Sequence, residues 1–311
     1  MLNEYSGKEI LITGGHGFLG EHLVAKLREY GASVTSPTRE EYDLRQQTDV
    51  DELFRSLGPF DYVFNLAANT TSYRVNVPYS IYYDNIMIGT NVLDYAVRYR
   101  VGKFVQIGTI ASYPAGIQAP FQSNDLWKGS SDKANSGYGL TMRLISEQLI
   151  SAYKQYQFPG IYLILPYLYG EGDHYEEDRL HTAALFIQRI VDAHKKEEPI
   201  IQLWGGVSSH REFFYVQDAV QAITYMGVNY ANPCPVNLGS GTTLSLKEFA
   251  DLIVDIVGYQ GRIAWVYDPP DPQPFRSLNS ESFQELVKLK TTPIKEGLQR
   301  TIQWYMEHSC K

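Results

Sequence analysis

The stretch LITGGHGFLGEHL, residues 11–23, constrains the fold of this chain more than any other segment. It lies where an apolar run typical of a β-strand, EILIT (9–13), is followed by a pattern that predicts a helix from about residue 19 to residue 30. Glycine permits a tight turn and lets backbone amides approach a pyrophosphate at the start of a helix. The sequence therefore predicts a dinucleotide-binding unit, with a purely structural turn as the alternative. The glycines fit either of two spacings: Gly14, Gly17 and Gly20, or Gly15, Gly17 and Gly20.

Short apolar runs alternate with helical patterns through the first half of the chain. Strands that alternate with helices pair in parallel through right-handed crossovers. We therefore expect an α/β fold with a Rossmann-type doubly wound parallel sheet. The predicted strands are 9–13, 32–35, 61–68, 103–109 and 160–166, and the predicted helices are 19–30, 49–57, 82–100 and 136–157.

The pattern changes after residue 166, where proline, glycine and aromatic residues cluster in loops. We predict a dinucleotide-binding domain over residues 1–166 and a smaller C-terminal substrate-binding lobe over residues 167–311. A strand near 234–240 should return to the first sheet. Helices are predicted at 181–195, 216–228 and 245–257.

Charge, hydropathy and cysteine content exclude several classes of protein. The net charge of -8 across 311 residues argues against a nucleic-acid partner. No apolar run approaches the roughly 18 residues that would span a membrane. The only cysteines are Cys234 and Cys310, which do not form a disulfide framework, so we expect a cytoplasmic protein. No metal is expected, because His174, Glu176, Glu177 and Asp178 are equally well explained as an acidic surface loop.

The end of the second predicted strand, TSPTREE (35–41), indicates which dinucleotide is bound. NAD enzymes often place an acid at this point to bind the ribose 2′-hydroxyl. No acid stands directly at the strand end here, whereas Ser36, Thr38 and Arg39 are available for a 2′-phosphate. We therefore favour NADP(H), with NAD(H) as the alternative and a solvated surface charge as the other interpretation of Arg39. Asp43 and Leu44 would then lie beside the adenine.

The chain resembles the extended short-chain dehydrogenase/reductases, and within them the GDP-L-fucose synthases, over nearly its whole length. The glycine loop is typical of the whole superfamily, whereas YDNIMIGTNV and the WGG…HREF region favour the fucose-synthase branch. The stretches that carry the resemblance are TGGHGFLG, IYYDNIMIGTNVLDYA, IGTIASYP, NSGYGLTMRLISEQL, LWGGVSSHREFFYVQDA and VNLGSGTTLSLKEFADLI.

The resemblance implies a role for several residues. Thr109 matches the catalytic Ser/Thr, Tyr138 the catalytic tyrosine, and His181 a histidine acid. Positions that hold the guanine and the diphosphate of a GDP-linked sugar are matched by Trp204, Arg211 and Arg276. The residues expected around the dinucleotide are Gly14, Gly17, Phe18, Leu19, Gly20, Ser36, Arg39, Asp43, Leu44, Leu66, Ala67, Ala68 and Tyr138.

The chemistry of a sugar oxidoreductase calls for these residue types independently. Interconversion of an alcohol and a ketone moves a proton together with a hydride, and a tyrosine can donate or accept that proton. Arginine supplies paired donors for a diphosphate. Each residue also has a structural interpretation. Thr109 could close a turn, Tyr138 could pack in the core, His181 could lie exposed at a helix start, and the two arginines could be surface charges.

The sequence departs from the family pattern at Met142, which stands four residues after Tyr138, where a lysine is usual. A cation about 4–5 Å from the phenol would stabilise the phenolate by roughly 3–4 kcal/mol at an effective dielectric constant near 20. Without it we expect the phenol pKa to stay closer to its reference value of about 10. Met142 also fits an apolar helix face with Tyr138, Ile145 and Leu149. Arg143 should point elsewhere.

Two further departures concern the substrate side. Ala111 stands where fucose synthases carry a cysteine used in epimerisation, and alanine cannot move a proton. Tyr167 stands where the family usually has an asparagine.

The leading hypothesis is an oxidoreductase that interconverts ketone and alcohol at C4 of a GDP-linked deoxyhexose or heptose. The alternatives are a single-centre epimerase and a binding protein that has lost catalysis. The resemblance also implies a homodimer formed through helices 84–100 and 136–157.

Overall fold

The fold is described by a computed structural model, which covers residues 4–70, 79–131, 136–175, 181–266 and 273–308. Within these residues the strands are β1 (Glu9–Thr13), β2 (Ser33–Thr35), β3 (Tyr62–Asn65), β4 (Lys103–Thr109), β5 (Gly160–Leu165), β6 (Tyr167–Tyr169), β7 (Ile200–Trp204), β8 (His210–Tyr215), β9 (Val236–Asn237), β10 (Thr243–Ser245), β11 (Arg262–Val266) and β12 (Phe275–Arg276). The α-helices are α1 (Phe18–Glu29), α2 (Gln47–Leu57), α3 (Tyr79–Arg98), α4 (Ser136–Tyr156), α5 (Thr182–Lys195), α6 (Val216–Asn229), α7 (Leu246–Val257), α8 (Glu281–Val287) and α9 (Ile294–His308).

The predicted doubly wound parallel sheet is confirmed. Its six strands lie in the order β2-β1-β3-β4-β5-β9, and every pairing is parallel. Both faces are covered, which explains why β5 reads as the uninterrupted apolar run GIYLIL. The strand order reverses between β1 and β3, and a ligand of such a sheet binds at the carboxyl ends of the strands beside this point.

A buried polar chain joins the central strands. Thr13 Oγ1 donates to Asn65 Oδ1 at 2.5 Å, and Asn65 Nδ2 donates to Gln106 Oε1 at 2.7 Å. All three side chains are buried, so each hydrogen bond offsets part of the cost of removing a polar group from water. These hydrogen bonds fix the relative positions of β1, β3 and β4 near the carboxyl ends of the strands.

The residues after 166 add two small sheets. One joins β10, β8 and β12, with β6 also paired to β8, and the other joins β11 and β7. β9 returns to the first sheet, as expected near 234–240, although it spans only two residues. The division into domains at residue 166 stays a prediction.

Helix α4 packs against α3 and against the sheet. Gly89 of α3 allows this close approach, because a Cβ there would lie 2.1 Å from Cδ1 of Ile145. The predicted apolar face is confirmed: Met142, Ile145 and Leu149 belong to one buried cluster, and Tyr138 packs against it.

None of the described helices is long and apolar enough to cross a membrane.

Candidate active site

The glycine loop is shaped by contacts that a side chain would break. Gly14 has φ +70°, and a Cβ there would lie 2.8 Å from the backbone nitrogen of Ala67. At Gly20 a Cβ would lie 2.2 Å from the carbonyl oxygen of Gly14, and at Gly15 one would lie 2.1 Å from Oγ of Ser36. Both spacings seen in the sequence therefore contain glycines that the packing requires.

Gly17 differs from the other glycines, because a Cβ there would meet only the carbonyl oxygen of Gly14, at 3.4 Å. Packing within the chain therefore does not require glycine at this position. Gly17 is the N-cap of α1. Because glycine has no side chain, it cannot accept hydrogen bonds from the free N–H groups of the first turn of the helix. An unobstructed helix start of this kind fits a pyrophosphate.

The end of β2, where the ribose site is predicted, lies beside this loop. Oγ of Ser36 is shielded from solvent and has no hydrogen-bond partner among the described residues. This hydroxyl lies against Gly15, and its role in binding a 2′-phosphate stays a prediction. Arg39 is exposed. His16, which the sequence analysis did not identify, is exposed and places Nε2 3.0 Å from the carbonyl oxygen of Ser36.

Asp43 and Leu44 are held by neighbours. Nε of Arg45 donates to Asp43 at 2.9 Å, and hydrogen bonds from this guanidinium lower the pKa of Asp43 to about 2. Leu44 accepts a hydrogen bond through its carbonyl oxygen from Nδ2 of Asn91 at 3.0 Å. The half-buried residues Leu66, Ala67 and Ala68 follow directly after β3, where the structure places Ala67 against Gly14.

Thr109 ends β4 and caps a short 3-10 turn, Ile110–Ser112. Its Oγ1 accepts a hydrogen bond from the backbone nitrogen of Ala111 at 3.2 Å. The turn-closing interpretation is therefore confirmed. A hydroxyl also carries one donor, and among the described residues that donor of Thr109 is not used. Thr109 can therefore close the turn and still bind a substrate oxygen.

The turn after β4 lies directly against the first turn of α4. A Cβ on Gly139 would lie 2.1 Å from the carbonyl oxygen of Ala111. Tyr138, the residue before Gly139, is consequently brought to the end of β4 that carries Thr109. These two predicted catalytic residues therefore lie on segments in direct contact.

Burial dominates the chemistry of Tyr138. Desolvation raises the pKa of its phenol to about 12. The expectation that this pKa would stay near 10 is therefore wrong. That expectation counted only the missing cation, whereas packing against the apolar face of α4 also removes water that would stabilise the phenolate.

Position 142, where the family usually has a lysine, carries no cation. Met142 is 2 % exposed and lies inside the core. Arg143 points elsewhere, as predicted: its Nε donates to the carbonyl oxygen of Ser112, and its Nη1 donates to that of Gly129 at 3.1 Å. Arg143 thus ties α4 to the turn that follows Thr109.

His181 is the N-cap of α5, and its Nδ1 lies 3.0 Å from Oδ1 of Asp173. This hydrogen bond and the carboxylate charge raise the pKa of His181 above its ordinary value, against the opposing effect of burial. The sequence analysis did not identify Asp173, because the pairing depends on a loop that brings two residues eight positions apart into contact.

Trp204 lies at the end of β7, on the wall of a cavity of about 370 Å³. The Arg189 guanidinium, from the same cavity wall, stacks over the indole with 5.5 Å between Cζ and the ring centroid. Arg189 was not identified from sequence. The residues that line this cavity are Gln188, Arg189, Asp192, Ala193, Lys196, Glu198, Ile200, Ile201, Gln202 and Trp204, which include neither Arg211 nor Arg276.

Arg211 and Arg276 start from neighbouring strands. They are Cα partners in the parallel pairing of β8 with β12, so the two side chains leave the same face of this sheet. Arg276 is only 7 % exposed, which makes the surface-charge interpretation wrong for this residue. The Arg211 guanidinium stacks over Tyr167 at 5.7 Å, so the aromatic that replaces the usual asparagine supports a predicted substrate residue.

The described residues contain no group of three His, Cys, Asp or Glu side chains that could hold a metal ion. Glu176, Glu177 and Asp178 lie outside the described residues.

Known proteins place this chain in a family. The NAD dependent epimerase/dehydratase family matches residues 10–239, and the chain belongs to it. The chain is an enzyme of this family, and its cofactor is a nicotinamide dinucleotide.

The resemblance to GDP-L-fucose synthases is also confirmed. A probable GDP-L-fucose synthase 1 from Oryza sativa subsp. japonica is 30% identical over 307 residues, covering 97% of this chain and 93% of the relative. The crystal structure of a GDP-6-OMe-4-keto-L-xylo-heptose reductase from C. jejuni has the same fold, with a TM-score of 0.90 and 22% identity, covering 97% of this chain and 98% of that one. A GDP-mannoheptose C4 reductase from Campylobacter jejuni with NADP bound has a TM-score of 0.86 and 23% identity, covering 96% and 98%.

The burial of Met142 generates a stability prediction. Met142→Lys should lower the unfolding free energy at pH 7 by roughly 4 kcal/mol, since a buried lysine whose pKa falls by about 3 units costs that much. Met142→Leu, which roughly conserves volume, should cost under about 1.5 kcal/mol. Denaturant titration measures both.

The pH dependence identifies the cause. The loss of unfolding free energy should be complete at pH values below the depressed pKa of the lysine. It should disappear as the pH rises to about 10.4, the ordinary lysine value. A Met142→Lys protein as stable as Met142→Leu at pH 7 would show that position 142 accepts a cation after all.

Proposed function

We propose that this enzyme reduces the C4 ketone of a GDP-linked deoxyhexose or heptose, with NADP(H) as the hydride donor. Tyr138 is the proton donor, and Thr109 binds the same oxygen. The observation that carries the proposal is the environment of Tyr138, half-buried beside the turn of Thr109 with its pKa raised to about 12 and no lysine at position 142.

The direction of the proposed reaction follows from the raised pKa of Tyr138. A general acid must be protonated, and a phenol with a pKa of about 12 stays protonated through the neutral range. A general base must be ionised, and the same phenol is almost never ionised there. The site therefore favours reduction of a ketone over oxidation of an alcohol.

The dinucleotide fits the loop between β1 and α1. Glycine at positions 14 and 20 forms the turn, Gly17 leaves room for the pyrophosphate, and Phe18 and Leu19 begin the helix that faces it. When bound, the cofactor supplies the hydride. A 2′-phosphate on its ribose is favoured by the exposed Arg39 and by His16, whose ring contacts the carbonyl oxygen of Ser36.

The GDP part of the substrate is assigned to Trp204, Arg211 and Arg276. An indole can stack on guanine, and two arginines on one face of a sheet suit a diphosphate. Arg189 joins this set, because it stacks over Trp204. The names of the relatives support a GDP-linked sugar, and the name of one structure of the same fold supports C4 reduction.

The second candidate is an epimerase acting at a single centre, which the hydrogen-bonded pair His181 and Asp173 favours. Ala111, which cannot move a proton, disfavours a double epimerisation. Loss of catalysis would leave a binding protein.

A homodimer through α3 and α4 is supported by exposed apolar residues on both helices. Tyr79 and Tyr83 stack at 6.1 Å on α3, and Leu140 and Leu144 are exposed on α4. The two helices pack side by side, so these residues can form one surface that a second copy would cover. The proposal also includes the division of the chain into two domains at residue 166 and a cytoplasmic location.

The first test measures turnover. NADPH oxidation with a GDP-linked 4-keto sugar should fall by roughly 100- to 10,000-fold in Tyr138→Phe, which removes the proton donor, while dinucleotide affinity is retained. Tyr156→Phe, on an exposed part of the same helix, is the matched control. Reduction should persist through neutral and alkaline pH, and oxidation of the alcohol should rise with pH towards 12.

Tyr138→Phe with parental turnover would assign the proton to another group. A parent enzyme that is inactive in both directions at every pH would instead favour the binding protein.

The second test concerns the nucleotide. GDP at about 100 times its Kd should stabilise the enzyme by about 2.7 kcal/mol and raise its melting temperature, and UDP or dTDP should do so less. Arg211→Ala should reduce the GDP effect, whereas Arg262→Ala, which removes an exposed arginine from β11, should not. Equal stabilisation by all three nucleotides would contradict the guanine assignment.

The third test concerns the 2′-phosphate. Arg39→Ala should weaken NADPH by about tenfold and NADH little, because it removes one charge-assisted contact. Arg55→Ala, an exposed arginine on α2, is the control. Calorimetric titration gives both affinities. Tighter binding of NADH than of NADPH by the parent would reverse the assignment.

A further inference from the structure

The carboxylate of Asp173 is buried, and among the described residues no lysine or arginine forms an ion pair with it. Its side chain is 1 % exposed, and its Oδ1 accepts hydrogen bonds from the backbone nitrogen of His174 at 2.8 Å and from Nδ1 of His181 at 3.0 Å. Oδ2 is equally buried and has no partner among the described residues. Burial of a carboxylate is costly unless other groups stabilise its charge. His181 is the group here that can take up a compensating positive charge.

The hydrogen bond determines the tautomer of the imidazole. An ionised carboxylate only accepts hydrogen bonds, so Nδ1 of His181 must carry a proton. The neutral ring then has a lone pair on Nε2, and the protonated ring has an Nε2–H donor. Among the described residues Nε2 of His181 makes no hydrogen bond, and the side chain is 51 % exposed.

Position 181 does not use this side chain for helix capping. His181 is the N-cap of α5, yet its imidazole makes no bond to the first turn of the helix. The helix start also disfavours a cation nearby. A raised pKa at such a position therefore depends on the carboxylate of Asp173.

We propose that Asp173 is a positioning residue that fixes the ring and tautomer of His181, so that Nε2 exchanges a proton with the substrate. This rests on the proposed function for the identity of the substrate alone. Tyr138 supplies the single proton that the C4 oxygen needs in the reduction, so His181 serves the single-centre epimerisation of the second candidate. There the imidazolium gives its Nε2 proton to the enolate carbon beside the ketone, the enolate becomes the ketone again, and the ring becomes neutral while the Nδ1 proton stays on it.

Other titratable groups surround the pair and must be controlled for. On the same loop these are Glu171, His174 and Tyr175. The ring centroids of Tyr175 and Tyr305 of α9 lie 4.4 Å apart. Arg300 of α9 interacts electrostatically with Glu171, and both residues hydrogen-bond to Tyr215. Residues 176–180 lie outside the described residues and include further charges.

The test is a nitrogen-15 and proton NMR titration of the full-length enzyme, which needs no turnover. Seven histidines contribute, and His181→Gln assigns the signal of interest. Neutral His181 should be the Nδ1–H tautomer, with a pKa above about 6.5. Asp173→Asn should lower this pKa by about one unit or more, because the amide keeps an acceptor oxygen but carries no charge.

Glu171→Gln is the matched control, since it removes a carboxylate from the same loop that is bonded to Tyr215 and not to His181. It should leave both the tautomer and the pKa of His181 almost unchanged. An unchanged pKa in Asp173→Asn would overturn the proposal. Should that variant fail to fold, a parent enzyme with His181 as the Nε2–H tautomer would overturn it equally.

Turnover provides a second measurement. The inflection of the pH–rate profile in Asp173→Asn should move to lower pH by the shift that NMR gives for His181. A role in packing alone would lower kcat without moving the inflection, and that result would contradict the proposal. A parent without turnover would remove the proposed function and leave the NMR result to decide on the pair.

Discussion

The contact between the first turn of α4 and the turn after β4 determines the geometry of the candidate site. Gly139 lies so close to the carbonyl oxygen of Ala111 that no side chain fits there. Because of this contact, Tyr138 and Thr109 are carried on segments that cannot separate without disrupting α4. Arg143 reinforces the contact through the carbonyl oxygen of Ser112. The site is therefore held by the backbone and by one buried arginine, and it does not depend on a lysine at position 142.

Methionine at position 142 changes the chemistry of the tyrosine through solvation as well as charge. A lysine there would bring a cation to the phenol, whereas Met142 extends the buried apolar cluster of α4 up to Tyr138. Burial of the phenol removes water that would stabilise the phenolate, and this desolvation raises its pKa to about 12. A phenol with this pKa stays protonated through the neutral range and is almost never ionised there.

The sequence predicted the features that depend on local pattern. Strands β1, β3, β4 and β5 stand out as short apolar runs, the apolar face of α4 has clear periodicity, and the glycine loop has a recognisable context. The short strands β6, β10 and β12 have two or three residues each, too few for any period to appear. The buried Ser36 hydroxyl and the pairing of Asp173 with His181 depend on how distant segments pack, which periodicity does not report. The pKa of Tyr138 was mispredicted for the same reason, since desolvation depends on packing.

Tyr138 and His181, the two residues predicted to transfer protons, both have raised pKa values, for different physical reasons. Burial in an apolar environment raises the pKa of Tyr138, and a buried carboxylate raises that of His181. Burial disfavours the charged phenolate, whereas the carboxylate favours the charged imidazolium, and both effects retain a proton. Both effects keep the group protonated at a higher pH than usual, which is the state that a proton donor must have before hydride transfer. Hydride transfer to a ketone leaves one carbonyl oxygen that needs one proton, so the protonated phenol of Tyr138 fits the proposed reduction.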